Sequence, residues 1–153
     1  MSKTIVLIAC SSTKLTTKAK AQNIYTGTAF KLSLVYAKRI NPDAIYIISA
    51  LHHLLELDNE ISPYNVTLSN ISRSKRNEKP DLIVLSLNEK MLWGKITIEQ
   101  ISKIADLEND KFIILAGKEY VKPISKYINN MIEPLSGLSQ GHRLAKLKEL
   151  AYG

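Results

Sequence analysis

A single cysteine, Cys10, stands in a chain of 153 residues. It excludes an internal disulfide, and with three histidines at scattered spacing it matches no structural zinc pattern. We expect no metal and no cofactor. No apolar run approaches the roughly 20 residues of a membrane span, and the N-terminus lacks the long apolar stretch and small-residue cleavage site of a secretory leader. We therefore expect a cytoplasmic protein without a membrane partner. Two phosphate-binding signatures are also missing: neither the Walker loop GxxxxGK[ST] nor the dinucleotide fingerprint GxGxxG occurs. Internal repeats, linkers and low-complexity stretches are absent too, and we expect one domain over residues 1–153. Hydrophobic residues at 45% and charged residues at 23% give the balance of a chain that folds around its own core.

Acid is absent from the first quarter. Residues 1–42 hold Lys3, Lys14, Lys18, Lys20, Lys31, Lys38 and Arg39 and no Asp or Glu, so the formal net charge of +7 resides entirely there. Such asymmetry points to an anionic partner, because phosphates are steered and held by local positive potential. A solvated lysine surface that maintains solubility accounts for the same residues.

Four runs rich in Ile and Val are present: TIVLIA at 4–9, AIYIIS at 44–49, DLIVLS at 81–86 and KFIILA at 111–116. None alternates polar with apolar, which indicates strands covered on both faces, the habit of parallel sheets. Helical patterns lie between and after them. TAFKLSLVYAKRI places Phe30, Leu34 and Ala37 on one side before Asn41 and Pro42 stop it. TIEQISKIADL offers Thr97 as N-cap with Gln100 three residues on, a capping-box pattern. LSQGHRLAKLKELAY repeats Leu144, Leu147 and Leu150 along a last helix. The expected fold is α/β, a three-layer domain with a mostly parallel central sheet of about four strands flanked by helices. The polar stretch SNISRSKRNEKP, residues 69–80, is expected to be a mobile surface loop.

In open α/β sheets, ligands bind beyond the carboxyl ends of the strands. Those ends here deliver Cys10, Ser11, Ser12 and Lys14; Ser49, His52 and His53; Ser86 and Asn88; and Gly117, Lys118 and Tyr120. The turn CSSTK combines backbone N–H groups, hydroxyls and an ammonium, the parts of an anion site; a turn whose serines satisfy local backbone groups has the same composition. Cys10 as a nucleophile needs a lowered pKa from Lys14, His52 or His53, whereas free cysteine at a strand end is ordinarily a small buried hydrophobe. His52 is the candidate acid or base.

The order of LIACSSTKL, NIYTGTAFK, IYIISALHHLLELDNEISPYNVTL, Trp93, ILAGKEYVKPI and EPLSGLSQGHRLAKL, from Ile5 to Leu147, resembles an uncharacterised family of small bacterial, archaeal and phage proteins. These are similar in turn to the peroxide-stress YaaA proteins and, more remotely, to the core domain of archaeosine synthase. The family's usual pattern has glycine where this chain has His53, and histidine reaches a positive φ less readily than glycine, which counts against that backbone conformation here. The resemblance implies a shared pocket lined by Cys10, Ser11, Lys14, Tyr25, Thr26, Ser49, His52, Pro63, Tyr64, Gly117, Tyr120, Gly141 and Arg143, and it points to nucleic-acid chemistry. Tyr64 and Tyr25 can stack on a base, and Arg143 offers a donor fork to phosphate or a base edge. Loop anchoring by the tyrosines and capping by the arginine are the structural alternatives.

Two functions follow as expectations. In the first, an enzyme hydrolyses or transfers a group on a nucleobase or nucleotide, free or within DNA or tRNA. Lys14 and Arg143 then hold phosphate, Tyr64 stacks on the base, and Cys10, Ser12 or His52 supplies the chemistry. No acid falls in the strand-end loops, although glycosidic chemistry commonly relies on a carboxylate; Asp58 and Glu60 are the nearest candidates. In the second, a non-catalytic nucleic-acid-binding protein uses the basic first quarter and the cluster Arg73, Lys75, Arg76 and Lys79 as a phosphate track.

Overall fold

A computed structural model describes residues 1–153. The elements in chain order are β1 (Thr4–Ala9), β2 (Ala19–Lys20), α1 (Ala21–Ile24), α2 (Thr28–Arg39), β3 (Ala44–Ser49), β4 (His53–Glu56), β5 (Glu60–Ile61), β6 (Val66–Thr67), α3 (Arg73–Glu78), β7 (Ile83–Val84), α4 (Leu87–Ile104), β8 (Lys111–Leu115), α5 (Lys118–Ser125), β9 (Met131–Ile132) and α6 (Gln140–Tyr152). The central sheet has five strands in the order β4-β3-β1-β8-β9. Strands β3, β1, β8 and β9 run parallel, and β4 folds back antiparallel on β3.

Successive side chains of β1 explain why its run is unbroken. Val6 and Ile8 enter a cluster with Phe30 and Ala37 of α2 and Leu147 of α6, while Ile5 and Leu7 enter a second cluster with Trp93 and Ile101 of α4 and Ile124 of α5. Both faces of the strand are covered, so no polar alternation is needed. The protein is thus an α/β sandwich of three layers, as its sequence implies.

The run at 81–86 does not join this sheet. Only Ile83 and Val84 are extended, and they pair with β6 in a separate two-stranded parallel ladder, with Ile83 57% exposed. Pro80 before the run and the helix start at Ser86 leave it too short to cross the sheet. The fourth parallel strand is instead Met131–Ile132, whose two residues leave no periodic signal. Residues 73–78, expected as loop, form α3 with Ser72 as N-cap, and none of its residues is buried.

Helix α4 begins at Ser86 rather than Thr97. Ser86 and Glu89 form a reciprocal capping box, at 3.2 Å from the Glu89 N–H to Ser86 Oγ and 2.9 Å from the Ser86 N–H to Glu89 Oε1. The TIEQ pattern at 97–100 lies inside an uninterrupted helix, because nothing upstream breaks it; Gly94 is retained in the interior for packing. A Cβ at Gly94 would lie 2.4 Å from the carbonyl oxygen of Pro123, so α4 and α5 approach closely only at a glycine. Thr97 is fully buried, and its Oγ1 has no hydrogen-bond partner.

The β3–β4 hairpin turns through residues 50–52 into His53, which has φ of +63°. Three-residue hairpin loops place a left-handed residue at this position. The backbone conformation expected to be disfavoured by histidine is present, at a cost of about 1–2 kcal/mol for a residue with a Cβ. The His53 ring stacks on Trp93 at 6.3 Å. At the other end of the molecule, Arg39 closes α2 by donating to the carbonyls of Leu150 and Gly153 at 3.2 and 2.8 Å, which fastens the C-terminal ends of α2 and α6 together. No helix is long and apolar enough to cross a membrane.

Two substitutions in α4 should shift stability in opposite directions. Gly94→Ala gains about 1 kcal/mol of helix propensity but forces a backbone contact whose relief costs about 1–3 kcal/mol, so the midpoint of chemical unfolding falls. Thr97→Val removes an unpaired buried hydroxyl and raises the unfolding free energy by about 1 kcal/mol; a lowered value would mean that the hydroxyl is satisfied in solution.

Candidate functional site

Strand β1 leads through α2 to β3 on one side, whereas its neighbour β8 leads through α5 to β9 on the other. Two adjacent parallel strands whose outgoing chains diverge leave a crevice at their carboxyl ends. A cleft of about 890 Å³ occupies that position, lined by Cys10–Thr13 after β1, Gly27–Phe30 at the start of α2, Ser69 and Asn70, Ala116–Tyr120 after β8, and a wall from 133 to 140 that leads to Arg143. A shallower depression of about 560 Å³ lies beside Lys3 and Asp110, at the opposite end of the sheet.

Three helices begin at the cleft. Gly27 precedes α2 and Gly117 precedes α5, and neither N-cap makes a side-chain hydrogen bond; Ser139 caps α6 by accepting from the His142 N–H. The first-turn N–H groups of α2 and α5 therefore face the cleft without a capping side chain. Arg143, half-buried in the first turn of α6, lays its guanidinium over Gly117: a Cβ there would be 2.8 Å from Arg143 Nη1. The ion pairs of the chain use Lys20, Lys90, Lys103 and Lys122. Arg143 has no acidic partner.

Cys10 is half-buried, and its Sγ lies 3.5 Å from Tyr120 Oη. Tyr120 is 6% exposed, and burial, reinforced by Cys10, pushes its phenol upward, so it stays protonated at neutral pH. Ser11 holds the turn: its hydroxyl donates to the Thr13 carbonyl at 2.6 Å and accepts from the Gly27 N–H at 3.3 Å. Ser12 is exposed on the cleft wall. Sequence patterns missed the carboxylates of this cleft, Glu119 and Glu133. Glu119 accepts from Lys90 Nζ at 2.9 Å, with the two side chains 17% and 9% exposed, and Lys90 also donates to Asn70 Oδ1 at 3.2 Å. The Lys90 hydrogen bond holds the Glu119 carboxyl below the usual carboxylate range against the opposing effect of burial. One signal was available: Lys90 shares a buried helical stripe with Trp93, Gly94 and Thr97.

Five other expected residues gather in a second cluster, outside the cleft lining. Tyr64 Oη lies 2.7 Å from both Tyr25 Oη and Ser49 Oγ, and Ser49 Oγ accepts from the His52 N–H at 3.0 Å. Lys14 Nζ sits 4.4 Å from the centre of the Tyr64 ring and 5.8 Å from that of Tyr25. The His52 ring meets Tyr64 edge-on at 5.3 Å. Burial raises the phenols of Tyr25 and Tyr64; it lowers Lys14, with Cys10 opposing and Lys79 assisting, and it lowers His52. Tyr25 is 1% exposed and packs its ring on Phe30 at 5.1 Å, so it faces the core.

The remaining residues are apart. Thr26 donates its N–H to the Thr13 carbonyl, and Gly141 is exposed in open space. Asp58 pairs with Gln22 and Lys20, and Glu60 lies in β5; neither lines the cleft. His52 and Cys10 share no hydrogen bond, since the thiol's side-chain partner is Tyr120.

Fold and site together define an α/β protein with a cleft at the point where its parallel sheet changes direction, entered by helix N-termini and an arginine without an acidic partner. The model of a family of unknown function (DUF6884) matches residues 5–149, and the chain belongs to that family. No curated protein and no solved structure matches it.

The tyrosine cluster yields a stability test. Tyr64→Phe leaves Tyr25 Oη and Ser49 Oγ without their shared partner inside the protein, which costs about 1–3 kcal/mol. Urea unfolding should show that loss, and an unchanged midpoint would mean that the chain of hydroxyls is not sealed from water.

Proposed function

We propose that the cleft binds the phosphate of a nucleotide and that the protein acts there by hydrolysis or transfer on the nucleobase, at its glycosidic bond or an adjacent group. The observation that carries this reading is the meeting of three helix N-termini with a guanidinium that has no acidic partner. Backbone N–H groups, helix dipoles and a planar donor fork together suit a phosphate better than any neutral group.

The chemistry of the walls fits the remainder of such a ligand. Arg143, Lys118 and the first-turn N–H groups hold the anion. Glu119, kept ionised by Lys90, supplies the carboxylate that stabilises cationic sugar character or accepts from a sugar hydroxyl. Cys10 and Ser12 are the nucleophile candidates on the opposite wall, with neutral Tyr120 as a donor beside the thiol. Ser11 and Gly117 shape the seat. The resemblance expected from the sequence, through the family, to the peroxide-stress YaaA proteins and more remotely to the archaeosine synthase core is the ground for taking a nucleobase as the group acted upon.

Calorimetric titration with inorganic phosphate and the common nucleoside monophosphates tests the reading. Arg143→Ala removes a charged hydrogen bond of about 1.5–3 kcal/mol and should weaken mononucleotide binding about 10- to 100-fold. Gly117→Ala should also weaken it while leaving thermal stability near that of the parent, because only the mobile end of Arg143 is displaced. Lys14→Ala should have the smaller effect, since that ammonium lies over the Tyr64 ring. Parent protein that binds no mononucleotide, or a Lys14→Ala loss exceeding that of Arg143→Ala, would overturn the assignment of the phosphate to this cleft.

A further inference from the structure

Residues 69–82 leave the body of the protein between β6 and β7, which pair in parallel and close the base of the excursion. At its tip is α3, six residues long and without a buried side chain. Four of its cations, Arg73, Lys75, Arg76 and the C-cap Lys79, are exposed, and none takes part in an ion pair. Two acids lie on the same segment, Glu78 and Asp81. At about 100° per residue, Arg73, Arg76 and Lys79 recur at spacings of three on one side of the helix, Lys75 flanks them, and Glu78 falls outside that arc.

The root of this segment reaches the site. Ser69 and Asn70 form part of the cleft wall, and Asn70 is anchored by Lys90, the partner of Glu119. An arm of unpaired cations therefore rises from the wall of the cleft.

We infer that this arm docks the phosphate backbone of a single-stranded polynucleotide, one of whose nucleotides occupies the cleft. The inference rests on the nucleotide reading of the cleft and specifies its substrate as a polymer. Single strands are favoured because the cleft, enclosed by three helix starts, takes a nucleotide that has left its stack, and a duplex would pay unpairing energy of a few kcal/mol. Regularly placed cations without a sequence-reading groove suit backbone contacts, which fix position and carry no sequence information.

The test compares the parent with a variant carrying Arg73→Gln, Lys75→Gln, Arg76→Gln and Lys79→Gln, whose fold is checked by circular dichroism and thermal unfolding. Glutamine matches the helix propensity of the residues it replaces, and no buried contact is lost. Fluorescence anisotropy follows labelled single-stranded DNA and RNA of about 12 nucleotides between about 50 and 200 mM salt. At about 0.7 per phosphate contact on single strands, the slope of log affinity against log salt should become shallower by about 3 in the variant. Mononucleotide affinity should stay within twofold of the parent. An unchanged slope, or equal losses for mononucleotide and oligonucleotide, would overturn the arm's role. A parent that binds mononucleotide but no oligonucleotide would overturn the arm and leave the cleft reading standing. Oligonucleotide binding lost in the variant, with no mononucleotide binding and no effect of Arg143→Ala, would overturn the cleft reading instead. Phosphatidylserine vesicles form the last arm, and a loss confined to them would overturn the polynucleotide as partner.

Discussion

Parallel pairing of β3, β1, β8 and β9 is the constraint on which everything else depends. Parallel strands cannot be joined by tight turns, so each return must cross a face of the sheet in a helix or long loop. Every return starts at the same edge. The N-termini of α2 and α5 are placed there by connectivity alone, and the dipole of each helix adds positive potential to the crevice between β1 and β8. Helix α6 has no strand to follow it, yet its packing on α2 brings its first turn to the same place. The meeting of helix N-termini at this edge is therefore a product of topology before any charged side chain is considered.

Two-faced burial also decides how much of the fold the sequence displays. Runs such as Ile5–Ile8 and Phe112–Leu115 are apolar throughout because helices cover both sides, and they are legible for that reason. Strand β9, with two residues, bears no such mark, while Asp81–Ser86 bears the mark without the role. In that run the apolar residues serve a short ladder and the entry to a helix. The capping box at Thr97 failed for a related cause: the same pattern occurs at Ser86, and local chemistry does not rank two starts within one continuous helix. Cys10, Ser12, Gly117 and Tyr120 were legible as cleft residues because they follow strand ends, whereas Arg143 was implied only by the family resemblance. Lys90 and Glu119, 29 residues apart, become a pair only through the packing of α4 on α5.

That pair merits comparison with the tyrosine cluster. A buried ion pair is weak evidence for stability, since apolar replacements of similar volume are often neutral or stabilising. Lys90 and Glu119 thus spend desolvation energy to fix a carboxylate at the wall of the cleft. The second cluster has a different character. Tyr25, Tyr64 and Ser49 satisfy one another's hydroxyls, and Lys14 shares its charge with the face of Tyr64. These groups stiffen the loops behind the CSSTK turn. His53 belongs to the same effort, holding a left-handed backbone at the hairpin while its ring rests on Trp93.

The guanidinium of Arg39, bound to the last carbonyls of α6, has a consequence for the history of the molecule. Helix α6 follows every other element in chain order, yet it carries Arg143 to the cleft and Leu147 into the core beside Val6 and Ile8 of β1. The turn after β1 and Arg143 of α6 lie far apart in sequence and meet only at the cleft. Long-range closures of this kind slow folding because loop entropy is lost before contacts compensate.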